Sequence, residues 1–118
     1  MVTPLARAVG EHIPLKGVSF QLLVAVAGGA RHGYAIRKEV EERTDGAVRL
    51  WPTTLYGTLR GLVEAGLLQE QADGEDPRGK RCYHLTDLGC AVLEAETRRL
   101  EGLVRVARRT PVLRGEPS

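Results

Sequence analysis

The sequence is poor in several things, and each shortage excludes a class of function. It holds two cysteines, Cys82 and Cys90, eight positions apart with no CxxC spacing, which argues against structural zinc and a disulfide framework and fits a reducing cytoplasm. Its three histidines, His12, His32 and His84, form no HxxxH or similar ligand pair, so neither a metal site nor a metal cofactor is expected. No apolar run approaches the ~18 to 20 residues that span a bilayer. Leu22 to Ala27 imitates the core of a signal peptide, but the run is short, follows Ser19 and Gln21, and starts well inside the chain. A soluble protein without a membrane partner is expected. No nucleophile, base and orienter can be assembled, and no glycine loop cradles a phosphate, so an enzyme is not expected. The net charge of +2 is only mildly basic; attraction to polyanions has to come from local patches or from doubling in a dimer.

What is present, in one domain of 118 residues, is organised around Trp51 to Leu68. Pro52 stands where a first helical residue tolerates proline. Leu55, Leu59, Leu62 and Val63 then fall on one helical face, a stripe for a core. The other face carries Thr53, Gly57, Arg60 and Glu64, flanked by Thr54, Gly61 and Tyr56. Gly57 and Gly61 each cost a helix interior roughly 1 kcal/mol relative to alanine, so a low surface must bring some gain. Three explanations fit: a solvated face, close packing by another part of the chain, or approach of a DNA groove, where small hydroxyl residues near a helix start meet phosphates or base edges. Gly66 ends the helix as a glycine at C′ does.

Around this stretch the punctuation predicts the rest. Thr3-Pro4 opens a short helix over Leu5 to Glu11 that must lean on something long. Lys16 to Ala27 reads as a mostly buried helix stopped by Gly28-Gly29, and Tyr34 to Thr44 as an amphipathic one with Ile36 and Val40 inward and Arg37, Lys38, Glu41 and Glu42 outward. Strands over Leu67 to Ala72 and Lys80 to Leu85 flank a polar loop with two glycines and a proline, a hairpin with a long tip. The tip is acidic first and basic after, ending on Arg78, Lys80 and Arg81; it is either a solvated loop or a wing whose cations reach DNA phosphates. Thr86-Asp87 caps a last helix to about Arg109. Leu88, Ala91, Val92 and Ala95 offer one face to the core, while Leu93, Leu100, Leu103, Val104 and Ala107 form a second stripe interrupted by Glu96 and Thr97. This helix overhangs anything the domain can cover, and an apolar stripe there points to a partner helix in a symmetric homodimer. Arg114 to Ser118 reads as a frayed tail.

The order is that of a winged helix-turn-helix, mainly α with a small β-hairpin, followed by a long C-terminal dimerisation helix: residues 1–15 an arm or short helix, 16–85 the DNA-binding unit, 86–118 the dimerisation helix and tail. His32-Gly33-Tyr34-Ala35-Ile36, Thr54-Leu55-Tyr56, Leu62 through Gly66-Leu67-Leu68, and Lys80-Arg81-Cys82-Tyr83-His84-Leu85-Thr86 with Gly89 resemble the PadR family of bacterial transcriptional regulators over about Val18 to Leu93, and the single trailing helix resembles its compact subfamily. The resemblance implies a homodimeric repressor binding double-stranded DNA at an inverted repeat. It places Thr53, Thr54 and Tyr56 at the DNA-facing start of the recognition helix, Arg60 one turn on, and Arg78, Lys80 and Arg81 in a basic wing. Tyr34 either reaches the phosphate backbone or braces the helices, and the habit of tyrosine rings to bury themselves favours bracing; Tyr83 is expected in the core.

The chain departs from the family pattern at Gly57, where proline or a larger residue is usual, and at Gly61 and Val63, where charges are common. Cys82 makes the wing less basic than many. Family members release DNA when a small aromatic or cationic effector binds near the dimer interface, but the trailing helix has no aromatic residue. Trp51 reads as a packing residue, with a ligand platform as the alternative. The competing function is a winged-helix protein-interaction module that does not bind DNA.

Overall fold

The computed structural model describes residues 2–72, 74 and 79–116. Five helices and one hairpin follow in order: α1 Pro4–Gly10, α2 Gly17–Ala27, α3 Gly33–Arg43, α4 Pro52–Glu64, β1 Leu68–Ala72, β2 Arg81–Leu85 and α5 Asp87–Arg108. Each boundary lies within one or two residues of the one expected from punctuation, within the usual looseness of helix and strand ends. The Thr3 hydroxyl accepts the Ala6 amide at 3.0 Å, and the Thr86 hydroxyl accepts that of Gly89 at 2.9 Å. Both helices thus start on side-chain caps that satisfy otherwise orphaned N–H groups.

The core lies where α2, α3 and α4 meet under the hairpin. Leu22, Leu23, Ile36, Val40, Leu55, Leu59, Leu67, Leu68 and Val92 are buried in it. α4 leaves this core through a Schellman turn: the Leu67 amide donates to the Leu62 carbonyl at 2.9 Å and that of Gly66 to Val63 at 3.0 Å, with Gly66 at φ 79°. That conformation favours glycine, and it turns the chain directly into β1. The strands pair antiparallel with Leu68 opposite Leu85, Glu70 opposite Tyr83 and Ala72 opposite Arg81. The sheet has a third edge that periodicity did not foretell. The Tyr83 amide donates to the Arg31 carbonyl at 2.8 Å, and His32 forms an antiparallel bridge with Cys82. Tyr83 is buried, as expected. A side chain at Gly89 would collide with the Leu67 carbonyl, so the seam between hairpin and α5 closes only over glycine.

α1 leans on α5, and the contact has a polar clasp. Glu96, which in the sequence merely interrupts an apolar stripe, is 1 % exposed. Its carboxylate accepts the Leu15 amide at 2.7 Å and the Arg99 guanidinium at 3.0 Å. A buried carboxylate is tolerable only when paired and hydrogen-bonded, and here the pairing ties residue 15 to residue 96. The Arg99 hydrogen bond is the main cause that holds the Glu96 carboxyl below its ordinary pKa, with the Leu15 amide adding to it against desolvation.

Beyond Glu96 the helix loses its cover. The molecule measures 60 × 42 × 21 Å with a radius of gyration of 16.8 Å, against about 13 Å for a compact chain of 100 residues. Of the tail expected from Arg114 to Ser118, Pro117 and Ser118 lie outside the described residues; Pro111 to Gly115 is turn, with the Arg114 amide donating to Thr110 at 3.1 Å and that of Glu116 to Pro111 at 2.8 Å. Among the described residues, no helix is long and apolar enough to cross a membrane.

Candidate nucleic-acid interface

α4 divides cleanly by face. Leu55, Leu59 and Leu62 are buried, while Thr53, Thr54, Gly57, Arg60, Gly61 and Glu64 are exposed. Among the described residues, a methyl group added at Gly57 or Gly61 would meet no atom of another element within 4 Å, so close packing by those elements is not what the two glycines serve. Among the described residues, no side chain caps the helix start. The free amides of its first turn therefore face outward beside Thr53 and Thr54, and such a terminus carries a partial positive charge that favours anions.

Tyr34 sits otherwise than the bracing expected of it. The Tyr34 ring is 65 % exposed, so it does not brace the helices by burial. Tyr56 turns sideways and lies across α3; its hydroxyl would be 2.7 Å from a side chain at Gly33, and about half of the residue stays open to solvent. Tyr34 and Tyr56 nevertheless line one cleft with His32, Lys80 and Arg81, of about 320 Å³, between the start of α3, α4 and the wing. Arg81 is engaged there by Glu70 across the hairpin at 3.3 Å. Of the three expected wing cations the structure brings Lys80 and Arg81 to this cleft, while Arg78 lies outside the described residues. A second opening, about 680 Å³, follows the other flank of α4, between Thr54, Gly57, Thr58 and Gly61 and the residues that lead into α2, among them Lys16.

Trp51 is 70 % exposed and so not the packing residue expected. Neighbouring Leu50 is the packed one, at 2 % exposure. Glu41, expected to face outward, turns back to this junction, where it pairs with Arg37 at 3.1 Å and accepts the Leu50 amide at 3.4 Å. The Arg37 hydrogen bond is the first cause of its lowered pKa. Helix periodicity cannot show such a brace, because its acceptor lies on one helix and its donor on the turn that follows.

On α5, Leu93, Leu100 and Ala107 are half-buried, and Leu103 and Val104 are exposed along with Val106, which lies off the expected stripe. The sequence and the fold have counterparts among known proteins. The profile of the transcriptional regulator PadR-like family matches residues 22–95. The chain belongs to that family. A curated relative, the transcriptional regulator Rv3488 of Mycobacterium tuberculosis, is 34 % identical over 88 residues, 75 % of this chain and 79 % of the relative. Solved PadR folds agree at lower identity. A PadR family transcription regulator from Clostridium difficile superposes with a TM-score of 0.70 at 21 % identity, over 80 % of this chain and 97 % of that one. Bacillus subtilis PadR in complex with operator DNA gives 0.60 at 22 % identity, over 70 % and 47 %.

Proposed function

We propose that this PadR-like regulator is a cytoplasmic homodimeric repressor that binds an inverted-repeat operator, with the start of α4 in a major groove and the hairpin on the neighbouring backbone. Residues 16–85 form the DNA-binding unit, 86–118 the dimerisation helix and tail, and 1–15 an arm clasped to that helix. The observation that carries this reading is the open, small-residue face of α4, where a Cβ added at either glycine meets nothing of the other described elements within 4 Å. A groove wall is the kind of body that such a face admits at close range. Thr53 and Thr54 read base edges, Arg60 reaches a guanine edge one turn on, and Tyr34, Tyr56, Lys80 and Arg81 hold phosphates. Leu93, Leu100, Leu103, Val104 and Ala107 seat the second copy. Support also comes from the operator complex of Bacillus subtilis PadR. Footprinting on the DNA upstream of the protein's own gene tests the reading. The expected result is a two-fold protected site with half-sites a helical turn, about 10 base pairs, or a multiple apart, bound more weakly as salt rises. Binding that is weak everywhere and indifferent to salt would leave a protein-interaction module instead.

A further inference from the structure

We infer that Trp51 is a further specificity-determining residue, whose indole covers the methyl group of one thymine per half-site, beside the bases opposite Thr53 and Thr54. The inference rests on the reading that α4 enters a major groove. Trp51 is the sole tryptophan of the chain, and 70 % of it is open to solvent although Leu50 before it and Leu55 after it are each 2 % exposed. The chain is pinned on both sides of it. The Leu50 amide is held by Glu41, and the Trp51 carbonyl accepts the Leu55 amide at 2.9 Å. Its extended backbone, at φ −67° and ψ 148°, lies outside the helical screw, so the indole escapes the buried stripe and projects from the tip that the groove would receive.

Two features commit this surface to duplex DNA. The cleft under the indole, about 240 Å³, is lined by Arg37, Arg49 and Glu41. The one carboxylate, paired with Arg37, faces two guanidiniums, so the cleft keeps a net positive charge for a polyanion. The second copy of the chain has a different seat: α5 packs on α1, α2 and β2, and α4 on α2, α3 and β1, so α5 shares only α2 with α4 among these neighbours and does not pack broadly on the α3–α4 junction that carries the indole. An indole offers an apolar face and one N–H donor but no acceptor. Among the base edges in a major groove the apolar group is the thymine C5 methyl, so thymine is the base such a face distinguishes.

The lone indole supplies its own readout. A duplex selected by the protein from a random pool is titrated while Trp51 emission and its quenching by acrylamide are followed; a shift to shorter wavelength and protection from the quencher are expected. Thymines of that duplex are then replaced one at a time by deoxyuridine. One position per half-site should weaken wild-type binding about fourfold, the factor that burial of one methyl group carries. Trp51→Ala should bind thymine and uracil duplexes alike, and Trp51→Phe should regain part of the preference. If the wild type binds the duplex with Trp51 still fully quenchable, or no uracil position matters, the inference fails and the repressor reading stands. If no duplex is enriched, both fail.

Discussion

α4 and α5 both carry a face that the other described residues leave open, and the two faces differ in size, polarity and support. The open face of α4 is small and polar, with two glycines and two threonines, and sits on a helix whose other side is locked into the core by Leu55, Leu59 and Leu62. The open face of α5 is aliphatic and extends past the domain's edge, with Leu103 54 % and Val104 51 % exposed. Water tolerates the first face well and the second poorly, since apolar area left in water forfeits about 25 cal/mol per Å². A low polar face on a rigid support accepts a body of fixed shape; an aliphatic stripe on an overhang takes an equally aliphatic one. On the proposed reading, the same chain presents one surface for a groove and another for its copy.

The sharpest way to break this comparison is to put a charge on each face in turn. Leu103→Asp would bury a carboxylate against a partner helix, at a cost of several kcal/mol unless the helices separate. Sedimentation at micromolar concentration should show a monomer with helix content nearly unchanged. A wild-type protein that is itself monomeric there would remove the premise. Thr53→Glu makes the opposite demand, because that side chain is exposed and the core is left untouched. It should keep the dimer and the helix signal in circular dichroism but bind operator DNA at least about 100-fold more weakly, through repulsion of phosphate at the helix start. Operator binding at wild-type strength in a folded, dimeric Thr53→Glu protein would take α4 out of the groove.

Much of this was legible in the residues, for identifiable reasons. Glycine, proline and threonine announce helix ends by local backbone chemistry, so Thr3-Pro4, Pro52, Gly66 and Thr86 marked them. The buried stripe of α4 followed from periodicity alone. What the sequence hid are pairings between distant positions. Glu96 looks like an interruption until Leu15 and Arg99 are seen around it, and Glu41 looks solvated until the Leu50 amide reaches it. The average habit of aromatic rings misleads at Trp51 and Tyr34, which stand exposed at the starts of α4 and α3. The edge bridge of His32 to Cys82 is too short to leave a period.

The Glu96 clasp belongs to the α5 side of the comparison, because it fastens the arm ahead of α2 to the helix that carries the open stripe. Its carboxyl is held below the ordinary glutamate value of about 4.3 by Arg99 first and by the Leu15 amide. In acid the unfolded chain takes up the proton before the folded one does. The stabilisation is therefore complete above the unfolded pKa and is lost as pH falls through the lower folded value. Urea unfolding at fixed protein concentration should lose stability from about pH 5 downward, and Glu96→Gln should be less stable than the wild type near neutrality by ~1 to 3 kcal/mol and flatter in acid. An unchanged acid slope in Glu96→Gln would place the loss elsewhere, with Glu41, whose pKa is also lowered, the next to replace.

The smallest expected effect concerns the wing, and it separates holding from reading. Lys80 and Arg81 line the cleft with Tyr34 and Tyr56, at the edge of the face that α4 opens, and Arg81 shares its charge with Glu70. Cations so placed meet phosphates, which are alike at every base pair. Lys80→Gln with Arg81→Gln should weaken binding to operator and unrelated duplexes by the same factor. It should also flatten the plot of log affinity against log salt by about 0.9 for each phosphate left without its cation. Because Glu70 already engages Arg81, Lys80→Gln alone should give the larger share of that change. The ratio of operator to unrelated binding stays constant if the wing only positions the dimer. A double variant that changes which base pairs are preferred would move base reading from the start of α4 to the hairpin, and the contrast between the two open helices would then no longer account for specificity.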